Sequence, residues 1–239
     1  MSFIKNCQMS IFGNYESIVP ESDLVRNLAD ALKEYEFIPG TIDVGLFDSV
    51  RGEASIGKRI HMISENECWK INILMERIDF LYTYKESGKE YFRLEDVCDT
   101  LLGISECVFQ VLEEVRGKRL ALNCRVIQDL TDMDIGRLIP EDILGITHYK
   151  NNVQRQLMSF ANTANVTFGD EKSEDSNVIF KADVDARENK RRLTAAYDIN
   201  TLSENMQLRF VPKDLNAYAM AAREKINEMI KDFDSFMEK

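Results

Sequence analysis

The side chains in this sequence best suited to acid–base or metal chemistry are carboxylates. Asp183 and Asp185 lie two positions apart in an alternating apolar and polar stretch, and Lys181 precedes them by two. Side chains two residues apart in a β-strand point to the same face. Two carboxylates and a lysine on one face could hold a divalent cation and the phosphate groups of a substrate. One hypothesis is therefore a metal-dependent nuclease or nucleotide-acting enzyme, and its structural alternative is a solvated acidic sheet face.

Other catalytic equipment is missing from the sequence. The two histidines, His61 and His148, have no cysteine or carboxylate at metal-ligand spacing. The glycine-rich phosphate-binding motifs and the serine nucleophile elbow are also missing. We therefore predict no cofactor, no further metal site and no assigned catalytic residue, which favours a function other than catalysis.

A local basic cluster is the second feature that could bind a partner. Arg187, Lys190, Arg191 and Arg192 surround a predicted hairpin turn at residues 187–190. As a projecting finger, the cluster could contact an acidic partner, either a nucleic acid or the other subunit of a homodimer. Its structural alternative is a solvated turn that keeps neighbouring strand edges from aggregating.

Charge and cysteine content limit the classes of partner. The chain has 239 residues, with 41 acidic and 30 basic side chains and a net charge of −11. Such a surface repels nucleic acid and anionic lipid, so we expect nucleic-acid binding only through the basic cluster and no membrane binding. Five cysteines, an odd number, and an amino-terminal stretch without a signal-peptide pattern predict a cytoplasmic protein with reduced thiols.

Hydrophobic periodicity predicts the elements that position these side chains. Steps of three and four residues predict helices, and alternation predicts strands. The predicted helices are 23–35, 94–116 and a carboxy-terminal helix from 214 onward; the predicted strands are 2–13, 41–47, 57–64, 68–76, 77–85, 119–128, 152–168, 177–187, 191–200 and 206–211.

Capping and turn residues predict where these elements end. We expect Ser22 to cap the first helix and Gly117 to cap the end of the second. Pro39 and Gly40 end the first helical region, residues 131–146 connect two strands, and residues 169–176 form a flexible loop. A short helical turn is expected at 140–144 within the connection.

The order of elements predicts an α+β fold. Consecutive strands joined by short turns pair antiparallel. We expect mostly antiparallel sheets packed against one long central helix, with an N-terminal helix and a C-terminal helix beside it. The chain is expected to form a single body over residues 1–239, with a soft subdivision into 1–116 and 117–239.

The order of motifs resembles an uncharacterised, sporadically distributed bacterial family with no assigned activity. The resemblance spans residues 37–235 and rests on five stretches: Trp69-Lys70-Ile71-Asn72-Ile73, Arg77-Ile78-Asp79-Phe80, Tyr91-Phe92 before the long helix, Leu122 to Asp129, and Leu138 to Gly145. It implies an α+β fold and a cytoplasmic bacterial protein, and it provides no catalytic residues. The family's patchy occurrence implies a mobile-element or phage-defence context.

These observations favour a non-enzymatic protein-interaction module that binds a protein partner or forms a homodimer. The reason is the lack of catalytic motifs combined with many strand edges, which pair readily. The metal-dependent enzyme built on Lys181, Asp183 and Asp185 is one alternative. A small-ligand sensor, with its pocket between the sheet and the long helix, is another.

Overall fold

The predicted α+β fold with antiparallel strands is confirmed by a computed structural model. The structure describes residues 2–48, 53–85, 92–131, 155–169, 172–185 and 191–238. Among these residues every strand pair is antiparallel, and the described strands form a single sheet of nine. The strands are β1 (Ser2–Gly13), β2 (Phe37–Asp48), β3 (Glu53–Ser64), β4 (Trp69–Ile73), β5 (Arg77–Thr83), β6 (Gly117–Asp129), β7 (Arg155–Phe168), β8 (Lys172–Asp185) and β9 (Arg192–Thr201).

The strand order places the first strand of each half of the chain at the centre of the sheet. The order is β2-β3-β4-β5-β1-β6-β9-β8-β7. Within the described residues, β2 and β7 are therefore the two edge strands. The sheet continues without a break across the predicted subdivision at residue 117, because β1 and β6 pair along most of their length.

In the described ranges, three α-helices accompany the sheet: α1 (Ser22–Ala31), α2 (Leu94–Val111) and α3 (Pro212–Glu238). Helices α2 and α3 contact each other as well as the sheet. The face that they cover carries alternate apolar side chains, all of them nearly inaccessible to solvent: Met9, Phe80, Leu122, Tyr197 and Ile199. The alternation arises because successive strand residues point to opposite faces, so only one face needs to be apolar.

The prediction of one long central helix is not supported. Helix α2 ends at Val111, five residues earlier than predicted, and it has 18 residues against 27 in α3. The apolar steps that continue to Val115 belong to a non-helical segment whose residues still pack into the core. Val115 is buried there without being helical.

Two predicted helix caps are wrong. Ser22 is the first residue of α1, while Glu21 occupies the N-cap position without a side-chain hydrogen bond. Gly117 begins β6 and forms a bridge to Phe210 through a pair of backbone hydrogen bonds. The strand predicted at 206–211 is reduced to this single bridge.

Three predicted loop and turn features also differ from the structure. The segment from Lys172 to Ser176 belongs to β8 and not to the predicted loop at 169–176. Gly169 lies in a turn with φ of +57°, and residues 170–171 lie outside the described residues. Pro39 and Gly40 lie inside β2, where proline is tolerated because an edge strand has one unpaired side. The connection at 132–154, with its predicted helical turn and His148, lies outside the described residues.

Within the described ranges, no helix has both the length and the apolar character needed to cross a membrane.

Candidate functional site

A row of polar side chains crosses the sheet on the face opposite the helices. Strand pairing places Ser10 beside Asp79, Asp79 beside Asn72, and Asn72 beside His61. The ring Nδ1 of His61 lies 2.7 Å from the amide oxygen of Asn72. These residues alternate with buried apolar neighbours, so the strands place all of them on the same face.

Asp79 is the buried centre of this row. Its carboxylate accepts hydrogen bonds from the Ser10 hydroxyl at 2.7 Å and the Gln8 amide at 3.1 Å, and its second oxygen lies 2.9 Å from Nε of Arg77. Only 1% of Asp79 is exposed. Burial raises the pKa of this carboxyl group above its ordinary value, while the hydroxyl, the guanidinium and the amide lower it.

A second polar cluster lies across β6 and β9 on the same face. Arg119 donates to the amide oxygen of Asn200 at 2.7 Å, and the Phe12 ring lies 4.9 Å from its guanidinium carbon. The Asn200 amide in turn donates to Asp198 at 3.0 Å. Asn200 is buried, so these contacts fix the position of the arginine.

Sequence reasoning missed both clusters, because their members come from strands far apart in the chain. Ser10 and Asp79 are separated by 69 positions, and Arg119 and Asn200 by 81. A signal was available at Asp79, which stands between Ile78 and Phe80 in an alternating strand. An aspartate at this position predicts that the strand has a polar face. It does not predict which other strands contribute polar side chains to that face.

The structure places Lys181, Asp183 and Asp185 on one strand, β8. They alternate with Ala182 and Val184, which are completely buried, so the three polar side chains share the face opposite the helices. Among the described residues, no three histidine, cysteine or carboxylate side chains come close enough to hold a metal ion. The metal-dependent enzyme stays a prediction.

The basic cluster is only partly described. Arg187 and Lys190 lie outside the described residues, whereas Arg192 begins β9 with its Nε 3.6 Å from the Asp129 carboxylate. The register pairs Arg192 with Asp185, and Asp185 with Arg155 at the start of β7. Arg192, a described member of the cluster, therefore lies at the end of the sheet where the edge strand β7 begins.

Edge strand β7 exposes apolar side chains on both faces of the sheet. Leu157 is 72% exposed on one face, and Phe160 is 63% exposed on the other, where it stacks on Phe180 with 6.3 Å between ring centroids. The strand holds one charged residue, Arg155, among its 14. The opposite edge, β2, contains Pro39, Asp43 and Asp48.

Three of the five cysteines are small side chains of the core. Cys7, Cys98 and Cys124 are buried together between the sheet and α2. A hydrogen bond with Cys124, together with burial, raises the pKa of Cys7, and a hydrogen bond with Cys7 has the same effect on the pKa of Cys98. The thiols of Cys7 and Cys98 therefore stay protonated and are poor nucleophiles.

Comparison with known proteins does not identify a family for this chain. No protein-family model matches this chain, and no curated protein matches it. The crystal structure of the di-domain ARO/CYC StfQ from the steffimycin biosynthetic pathway aligns with 99% of this chain and 95% of its own, at 10% sequence identity and a TM-score of 0.17. A likeness of that size carries no argument, and the resemblance to a sporadic bacterial family stays a prediction.

Proposed function

We propose that this chain is a protein-interaction module that self-associates through the edge strand β7. The observation that carries the proposal is a long, exposed edge almost without charge in a molecule of net charge −11. Pairing of β7 with β7 of a second copy would join two nine-stranded sheets through backbone hydrogen bonds.

The contrast between the two edges supports this choice of strand. Natural sheets protect free edges with proline, charged side chains or short strands. The β2 edge has proline and two aspartates, so it is protected. The β7 edge has 14 residues, no proline and no acid, which is the composition of an edge that pairs with another strand.

Two exposed apolar side chains would add to the backbone pairing. Leu157 and Phe160 lie on opposite faces of β7, so each can contact the matching strand of a second copy on its own face of the joined sheet. A twofold axis makes the contact self-complementary. Arg192 is separated from the start of β7 by one strand, β8, in the sheet register and would be near the border of this interface.

The test is the solution mass of the protein measured by size-exclusion chromatography with light scattering. We expect twice the chain mass of 27.6 kDa for the wild type. The double variant Leu157→Glu, Phe160→Glu should have the monomer mass, because two glutamates on each copy repel across a symmetric contact. Both side chains are exposed, and the variant loses the stacking of Phe160 on Phe180, so the free energy of unfolding should fall by only about 1–2 kcal/mol.

The matched control is Ile56→Glu. Ile56 is 77% exposed on β3, beside the opposite edge of the sheet. This variant adds a glutamate at an equally exposed apolar position and should keep the wild-type mass. A monomeric wild type, or loss of the dimer in Ile56→Glu, would contradict the proposal.

A further inference from the structure

A cleft of about 340 Å³ lies on the face opposite the helices, over the central strands of the sheet. The side chains of Gln8, Asn123, Arg119, Arg125 and Asp198 line it, and Ala121 forms part of its floor. The small side chain of Ala121 leaves space in the middle of the cleft, because Arg119 and Asn123, its neighbours on the same face of β6, are larger. A cleft of this volume is at the small end of the range for small-molecule sites.

Two arginines in the cleft have no carboxylate partner. In the part of the chain that the structure describes, neither Arg119 nor Arg125 forms an ion pair, whereas Arg77, Arg209 and Arg223 each bind a carboxylate. Unpaired arginines are notable where acids outnumber bases by 41 to 30. Two unneutralised guanidinium groups facing one cleft are typical of a site for carboxylate or phosphate groups.

The arginines stand at the two ends of the cleft. They are six residues apart on one face of β6, which separates their Cα atoms by about 20 Å. Ala121 and Asn123 lie between them on that face. In the described residues the Asn123 amide has no hydrogen-bond partner, so it is available to a ligand.

The remaining charged group in the cleft does not cancel both arginines. The carboxylate of Asp198 accepts a hydrogen bond from Asn200. One carboxylate against two guanidinium groups leaves the lining with net positive charge. Contacts with Asn200 and Phe12 already hold Arg119 in place. Ligand binding therefore does not have to immobilise this side chain and loses less conformational entropy.

We propose that this cleft binds a small, elongated organic dianion. One anionic group contacts Arg125, the other contacts Arg119, and the body of the ligand lies over Ala121 and hydrogen-bonds with Asn123. The anionic groups can be carboxylates or phosphates, since both match a guanidinium group. This binding site is independent of the β7 edge.

The experiment is titration calorimetry of the full chain with two sets of probes at equal ionic strength. Succinate, adipate and suberate form a length series of dicarboxylates, and a hexose bisphosphate provides the phosphate arm. We expect saturable binding in at least one arm, with affinity depending on length in the dicarboxylate series. Binding of the dicarboxylates would identify carboxylates as the anionic groups, and binding of the bisphosphate would identify phosphates.

Three variants locate the binding. Arg125→Gln removes an exposed cation and should weaken binding about tenfold or more. Ala121→Met fills the floor of the cleft while keeping both charges, and it should also weaken binding about tenfold or more. The control Arg26→Gln makes the same charge change at an exposed pair with Asp23 outside the cleft, so binding should stay at the wild-type level.

Two results would overturn the inference. One is no saturable binding of any probe to the wild type. The other is equal binding by the wild type, Arg125→Gln and Ala121→Met. Thermal melting of each variant without ligand separates loss of the site from loss of the fold.

Discussion

At the scale of single residues, the Asp79 carboxyl group is a buried and hydrogen-bonded group on the sheet face opposite the helices. Its burial disfavours the charged form, and its contacts with Ser10, Gln8 and Arg77 only partly compensate. A raised pKa means that the folded chain keeps this proton at a pH where the unfolded chain has already released it. The residue therefore makes the free energy of unfolding depend on pH.

The first prediction concerns this pH dependence. Between the ordinary carboxyl value of 3.8 and the raised pKa of Asp79, the folded state binds more protons, so the free energy of unfolding falls as pH rises. The loss is complete above the raised pKa. Asp79→Asn lacks this contribution. Urea unfolding of both proteins from acidic to neutral pH should show the wild-type stability declining relative to the variant, and a difference that stays constant or grows would contradict this.

The second prediction concerns the hydroxyl that binds this carboxylate. Ser10→Ala removes a 2.7 Å hydrogen bond to a buried carboxyl group and should lower the free energy of unfolding by about 1–3 kcal/mol. Ser22→Ala, which removes an exposed hydroxyl at the start of α1, is the matched control and should change stability by less than about 0.5 kcal/mol. Urea unfolding measures both. Equal effects would show that the Ser10 contact is not stabilising.

Single residues also show where sequence reasoning stops. Alternation identified which side chains of each strand share a face, as with Lys181, Asp183 and Asp185. It could not show that Asp79 meets Ser10, because strand order depends on long-range pairing that no local pattern contains. The polar face and its cleft therefore depend on the strand order, which the sequence pattern does not predict.

At the scale of elements, strands were predicted better than the ends of helices. Alternation extends along whole strands, whereas a helix end depends on one or two residues. The apolar steps of α2 continue beyond Val111 because that non-helical segment is also buried, so periodicity overestimated the length of the helix. Gly117 has the residue type of a helix cap, but its place in the structure is set by close packing.

The third prediction tests that packing. A Cβ at residue 117 would collide with the Ile11 side chain and lie 3.2 Å from the Phe12 carbonyl oxygen. Because Ile11 is buried in the core, Gly117→Ala should lower the free energy of unfolding by about 1–3 kcal/mol. Gly45→Ala on β2 is the control, since no atom lies within 4 Å of the added carbon. Similar stabilities of the two variants in urea unfolding would contradict the close approach.

At the scale of the whole molecule, the sheet has a helix-covered apolar face, a polar face with a cleft, and two unlike edges. Each half of the chain starts at the centre of the sheet, with β1 or β6, and its other strands run from an outer edge back to that centre. This arrangement leaves β2 and β7 as the edges within the described chain. Their difference in charge and proline content is the reason for proposing β7, and not β2, as the edge that pairs with a second copy.

The most direct test is amide hydrogen exchange of the wild type at two protein concentrations, one below and one above the midpoint of self-association. Backbone amides on the outer side of β7 should exchange fast in the dilute sample and slowly in the concentrated one, because pairing with a second copy buries them. Amides of β2 should exchange equally in both samples. Exchange in β7 that does not change with concentration, or protection that appears in β2 instead, would contradict self-association through β7.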